Sequence, residues 1–282
     1  MPTGKCITKE DEIKIIEYYN NNFESTISVA EKFGLCSVTV QKILSRNNVK
    51  LKSRTMIFNK NLNEHFFENI DSEEKAYLLG LLITDGNVHR PEHHGQDQIS
   101  LSSNDKELVD LFAEKIGLSK KPNNDGRGSW QVYVKSNIMS KDLEKYGVVP
   151  RKSLIAKFPI INDEFYPHLI RGIIDGDGNV SFYKVKNRNY HHKAIRIFSA
   201  NEQFLKDLNK YLKEKLGVSE VKIRYYKTST AAVLSFSRID DVEKIINYIY
   251  KDSHYYLHRK KEAADNIISE IRKYRGNSKD CE

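Results

Sequence analysis

The stretches AYLLGLLITDGNV at 76–88 and HLIRGIIDGDGNV at 168–180 align without a gap, pairing Gly80 with Gly172 and Asp85 with Asp177. Leu78, Leu79, Leu81, Leu82 and Ile83 make the first helix apolar on nearly every side, as a helix buried between two layers requires. Ala76, Gly80 and Thr84 recur one helical turn apart, as do Gly172 and Gly176, leaving a small-residue stripe along which two helix backbones can approach closely. The natural partner of one motif helix is the other. With Gly86 and Gly178 as helix terminators, parallel packing brings Asp85 and Asp177 together at two negative dipole ends. Two carboxylates are poorly accommodated there unless a cation joins them. Oxygen ligands with bound water suit Mg²⁺, with Mn²⁺ as substitute, and the carbonyls of Thr84 and Gly176 are further candidate metal ligands.

Outward from the motif the repetition continues, with ISLSSNDKELVDLFAEKIG at 99–117 matching IRIFSANEQFLKDLNKYLKEKLG at 195–217, each an alternating strand followed by an amphipathic helix. Later strands are expected near 129–134, 221–227 and 231–236. The fold class is therefore α+β, a pseudo-two-fold pair of αββαββα lobes spanning 71–160 and 161–282. Alternation turns Gln98, Ser100 and Ser102 away from Ile99 and Leu101, and Gln131, Tyr133 and Lys135 away from Trp130, Val132 and Val134. In the second lobe Lys222 and Arg224 oppose Val221, Ile223 and Tyr225, and Arg196 sits between Ile195 and Ile197.

Residues 1–50 read as a small all-α domain. Thr8 and Asp11 suggest a capping box, Ile13 and Ile16 an inward face, and Val29, Ala30 and Phe33 a second helix ending at Gly34. Ser37 is the expected N-cap of a third helix, with Val40, Ile43 and Leu44 inward and Thr39, Gln41 and Lys42 outward. This is the form of a helix-turn-helix, whose second helix can enter a major groove, and SVAEKFGLCSVTVQKIL resembles those of resolvase-like and transposase-like domains. Ser37, Thr39, Gln41 and Lys42 are its candidate DNA contacts. Residues 51–70 read as a linker, with Phe58, Phe66 and Phe67 as isolated apolar anchors.

The formal charge of +8 over 282 residues favours a polyanionic partner. Three widely spaced cysteines exclude a disulfide scaffold and a zinc finger, and no apolar run is long enough to span a bilayer. A cytoplasmic protein of a bacterial or phage host cell is expected. Asp175, Asp177, Gly178 and Asn179 superficially suggest a calcium loop, but Lys186 stands where its glutamate belongs. His93 with His94, and His191 with His192, lack a metal-ligand spacing and read as loop residues, and the chain after Ile271 reads as a frayed tail.

Both motif copies resemble the LAGLIDADG motif of the LAGLIDADG homing endonucleases, at Leu78–Gly86 and Ile170–Gly178. The resemblance covers about 71–275. It implies a monomeric, single-chain, site-specific double-strand DNA endonuclease, of the kind associated with intron homing, whose two saddle-shaped antiparallel sheets lie along a long asymmetric target. Asp85 and Asp177 then fall at the family's catalytic, metal-binding position, while Ile83 departs from the acid that the second copy keeps as Asp175. Matching GVVPRKS with YYLHRKK brings Lys152 and Lys260 to the family's basic position near the cleavage centre. Ser103 and Ser199 are matching polar positions at the strand ends. The rival reading is a non-cleaving DNA- or RNA-binding protein of the same fold, a regulator or an intron maturase; a transposase-like enzyme would need a third carboxylate that the repeat does not supply.

Overall fold

Three helices open the chain, α1 (Lys9–Asn21), α2 (Thr26–Phe33) and α3 (Ser37–Arg46). Thr8 and Asp11 form a reciprocal capping box on α1, Ser25 caps α2, and left-handed Gly34 closes it. The N-cap of α3 is Cys36 rather than Ser37: the extended residue that ends the turn comes one position earlier, so Ser37 is already helical. Ile15, Tyr19, Val29, Ala30, Val40, Ile43 and Leu44 make the core. Ile13, expected inward, is exposed. The buried face of α1 runs one turn from Ile15 to Tyr19, because the tyrosine ring brings more apolar area than an isoleucine and its hydroxyl finds a donor in the Lys52 amide at 2.7 Å.

The computed structural model describes residues 7–22, 24–52, 61–93, 95–152, 155, 157–188, 190–225 and 231–279. Contacts divide the chain into two units, Met1–Leu62 with Ile116–Lys120, and Asn63–Lys115 with Lys121–Glu282. The expected linker is thus split. Residues 53–60, with Phe58, lie outside the described residues, whereas Phe66 and Phe67 are buried edge to face 4.9 Å apart in the second unit.

That unit runs α4 (Glu73–Thr84), β1 (Gly86–His89), β2 (Gln98–Ser103), α5 (Lys106–Lys115), β3 (Asn123–Asn124), β4 (Trp130–Lys135) and α6 (Asn137–Glu144). A 3-10 turn at Asp163–Phe165 leads into α7 (Tyr166–Asp177), β5 (Gly178–Lys184), β6 (His191–Ser199), α8 (Glu202–Leu216), β7 (Arg224–Tyr225), β8 (Ala232–Phe236), α9 (Ile239–Tyr250) and α10 (His258–Lys279). Two four-stranded antiparallel sheets result, ordered β1-β2-β4-β3 and β5-β6-β8-β7. The α+β pair of αββαββα lobes is what folds.

Several details depart from expectation. β7 is shorter than 221–227: Lys222 precedes it, and 226–227 lie outside the described residues. Tyr225 is exposed on this edge strand, its hydroxyl donating to Glu202, because an edge carries no layer beyond it. His191 and His192 are in β6, not in a loop; the alternation of 195–197 simply extends backwards. His93 is exposed and His94 lies outside the described residues. The chain after Ile271 stays helical to Lys279, held by Arg275 on Asp240 and Glu243 at 2.8 and 2.7 Å. Among the described residues no helix is long and apolar enough to cross a membrane.

The motif helices α4 and α7 pack along their length. A Cβ on Gly80 would lie 2.8 Å from Ile173 N and 2.9 Å from Gly172 Cα, and one on Gly172 would meet the carbonyl of Tyr77. Backbone touches backbone here, which only glycine allows.

Candidate catalytic centre and nucleic-acid face

From the ends of α4 and α7 the chain passes directly into β1 and β5. Gly86 and Gly178 stand where the helices stop, as expected of terminators, but without a left-handed turn: Gly178 is extended at φ −108°, and neither has positive φ. A Cβ on either would come within 2.7 Å of Leu82 Cα or Ile174 Cα, so the departing strand, not a left-handed cap, demands glycine.

Asp85 caps the end of α4, and Asp177 is the last residue of α7. The Asp85 Oδ2 lies 3.2 Å from where a Cβ on Gly176 would sit, so the two acids share one end of the helix pair. Burial, then the negative charge of Asp177, hold the Asp85 carboxyl up at about 6. The surrounding protein raises Asp177 as well, against the pull of Lys152 and Lys260.

Lys152, in the turn after α6, and Lys260, in the first turn of α10, are 6% and 3% exposed. Lys152 Nζ donates to the Thr84 carbonyl at 3.0 Å. Lys260 Nζ donates to the carbonyls of Ile174, Asp175 and Gly178 at 2.6, 2.7 and 2.8 Å. Each ammonium therefore ends on carbonyls at the terminus of its own lobe's motif helix, against the negative dipole end. Burial lowers both amines, Lys260 to about 8, which leaves Lys260 largely protonated at neutral pH.

No group of three or more His, Cys, Asp or Glu side chains surrounds a common point among the described residues. A cation here would rest on Asp85, Asp177, main-chain oxygens and water. That donor set fits a hard ion such as Mg²⁺, which keeps much of its water shell, and two crowded acids with raised pKa gain from its charge. Thr84 is a poorer ligand than expected, because Lys152 already donates to its carbonyl and an ammonium repels a second cation. Lys260 bonds the carbonyls of Ile174, Asp175 and Gly178, and Gly176, the other expected ligand, is not among its acceptors. Ser103 and Ser199 Oγ each accept from the amide two residues on, Asp105 and Asn201, at 3.2 and 3.1 Å.

A polar clamp between the lobes was not anticipated. Arg171 is fully buried; its Nε donates to the Tyr255 carbonyl at 2.6 Å, Nη2 to Glu73 at 2.6 Å, and Nη1 to the Ile249 carbonyl. Asp175 accepts from the Tyr77 hydroxyl and the Leu257 amide, both at 2.8 Å. The signal was the departure between the copies, since Leu79 and Ile83 align with Arg171 and Asp175.

Strand register gathers the expected reading residues of the first lobe on one face, with Gln98 opposite Lys135, Ser100 opposite Tyr133 and Ser102 opposite Gln131. Gln131 donates to Ser102 at 2.9 Å, and Tyr133 and Lys135 are exposed. Ser100 is the exception. It is 3% exposed, a short side chain in the central strand between Asn87 and Tyr133, so facing outward does not expose it. In the second lobe Arg196 and Arg224 share a face through Phe198 and Val233; Arg196 bonds Ser181 and His192, and Arg224 is exposed. Asn87, Asn179, Tyr183 and His192 join these faces and were missed. In the other unit Gln41 and Lys42 are exposed on α3, while Ser37 and Thr39 are half-buried, Thr39 against Cys36.

The model of the LAGLIDADG-like domain matches residues 72–146 and 164–272, both motif copies included. Among relatives in Methanocaldococcus jannaschii, uncharacterized protein MJ0398 is 23% identical over 96% of this chain and 98% of its own length. DNA-directed RNA polymerase subunit Rpo1C is 25% identical over 69% of this chain but only 21% of its own length, so the likeness involves about a fifth of that subunit. Among solved structures, the LAGLIDADG meganuclease I-AabMI, bound to uncleaved DNA, has a similar fold, with a TM-score of 0.51 at 14% identity over 71% of this chain and 91% of that one. With both motifs matched across well over half its length and the corresponding paired lobes formed, the chain belongs to the LAGLIDADG-like domain family.

Proposed function

We propose that this protein is a site-specific double-strand DNA endonuclease that uses divalent metal ions. The observation that carries this reading is the meeting of Asp85 and Asp177, with a buried lysine at each helix end, where the first strand of each sheet begins. A pure binding protein has no use for two acids that raise each other's cost of ionisation.

A bound Mg²⁺ or Mn²⁺ would lower the pKa of its water and stabilise a leaving oxygen. Asp85 and Asp177 hold the charge that binds it, and Lys152 and Lys260 neutralise the helix ends so that both acids can ionise together. One set per lobe provides for both strands. Gln98, Ser102, Gln131, Tyr133, Lys135, Arg196 and Arg224 serve as major-groove contacts, Lys222 as a phosphate contact, and Ser37, Thr39, Gln41 and Lys42 extend the contact. A monomer reading a long asymmetric site, and intron homing in a bacterial or phage host, complete the reading.

The test is a plasmid library carrying the DNA that flanks this gene, incubated with Mg²⁺, Mn²⁺ or chelator. Linear product that requires the ion, and disappears in Asp85→Asn and Asp177→Asn, supports the endonuclease. Tight binding without cutting under either ion would instead make the chain a regulator or maturase.

A further inference from the structure

The sequence repeat suggests two equal half-sites, but the two lysines are not equal. An ammonium has three N–H donors. All three of Lys260 are spent on Ile174, Asp175 and Gly178 carbonyls, leaving none for water or phosphate. Its segment is also tied down, since Asp175 accepts from the Leu257 amide at 2.8 Å and Arg259 pairs with Asp105 at 2.7 Å. In the first lobe Ile83 stands where Asp175 would, so no carboxylate at that position anchors the segment of Lys152.

Lys152 has one acceptor among the described residues, the Thr84 carbonyl, and keeps two donors. It lines a cavity of about 160 Å³ together with Thr84, Asp177 and Ser199, and its charge acts most strongly on Asp177 of the other lobe. At roughly 30 Å³ per water, that space holds several solvent molecules or a phosphate oxygen.

We propose that Lys152, across from Asp177, supplies unengaged ammonium donors to one scissile phosphate, whereas Lys260 is a positioning residue that holds the end of α7, so that the two strands are cut in a fixed order. This rests on the endonuclease reading. In each hydrolysis a water oxygen bonds to phosphorus while the bond from phosphorus to the leaving sugar oxygen breaks; the water's proton passes to solvent and the sugar oxygen takes one back. The donors of Lys152 share the charge that builds on the non-bridging oxygens, and the strand so served is cut first.

Supercoiled plasmid carrying the cleavage site shows nicked circle ahead of linear product, and a linear duplex of the same site with each strand separately end-labelled reads the order directly. Lys152→Met should slow one strand by about 100-fold, leave the other unchanged and accumulate nicked circle. Lys260→Met should slow both strands alike, raise the Mg²⁺ concentration needed for half-maximal rate, and lower the melting temperature; Lys152→Met should slow only the strand it serves. Equal slowing of both strands by Lys152→Met, or equal strand rates in the unaltered protein, overturns the proposal.

Reductive methylation of the unaltered protein, read by peptide mass, needs neither a cleavable target nor a stable variant. Lys152 should react faster than Lys260, whose three donors are all engaged; equal reactivity also overturns the proposal. If no divalent ion supports cutting while the labelling ratio holds, the endonuclease reading has failed and the inequality of the amines has not.

Discussion

Single residues show how strongly surroundings reset chemistry in this protein. Asp85 is kept up at about 6 by burial and by Asp177, well above the unfolded value near 3.8. A raised carboxylate contributes stability that is fully present below the unfolded pKa and lost as pH rises through about 6, so in chelator this group disfavours the native state at neutral pH. A divalent ion works in the opposite direction, competing with the proton. Thermal melts with and without Mg²⁺ should therefore show a stabilisation that is largest above about pH 7 and vanishes below about pH 5; a shift independent of pH would place the ion elsewhere. Arg171 offers a second test. Its guanidinium is buried against Glu73 and two carbonyls, so Arg171→Met strips the Ile249 and Tyr255 carbonyls of their side-chain donor and takes one partner from Glu73, which keeps the His254 and Tyr255 amides; it should cost about 2–5 kcal/mol in urea unfolding, whereas loss of under about 1 kcal/mol would show the clamp to be idle. Neither arginine nor clamp was legible beforehand, because a charged residue in an apolar run is interpretable only once its partners are known, and those partners come from Glu73, Ile249 and Tyr255, far apart in the chain.

At the scale of elements, the motif helices were readable because apolar residues on every side, a glycine notch and a terminal acid each have a local cause. Gly80→Ala gains about 1 kcal/mol of helix propensity, yet its Cβ would press on Ile173 N and Gly172 Cα, backbone atoms that no rotamer change can move. Overpacking should win, with a net loss of about 3 kcal/mol or more by denaturant titration; a variant as stable as the parent would show that the helices can separate at no cost. Strands were legible in their alternation but not in their exposure. Register put Gln98, Ser100 and Ser102 on the expected face, yet Ser100 is covered by its longer neighbours, and Tyr225 is uncovered because β7 is an edge. The α1 face was misjudged for a related reason: counting aliphatic residues picked Ile13, while the ring of Tyr19 decided which side turned inward.

For the whole molecule, the charge of +8 makes any nucleic-acid binding strongly salt-dependent on the proposed reading. Lys42→Ala on α3 should lower the slope of log affinity against log salt by about one without changing the preferred site; an unchanged slope would remove α3 from the interface. The paired architecture, the helix-borne acids and the polar strand faces were all determined by the order of residues alone, because periods of 3.6 and 2 and a repeat are properties of a line of sequence. Tertiary structure decided what that line cannot carry. Lys152 and Lys260 occupy matching places in the repeat, yet one spends a single donor and the other all three, since hydrogen-bond saturation depends on where distant carbonyls come to rest.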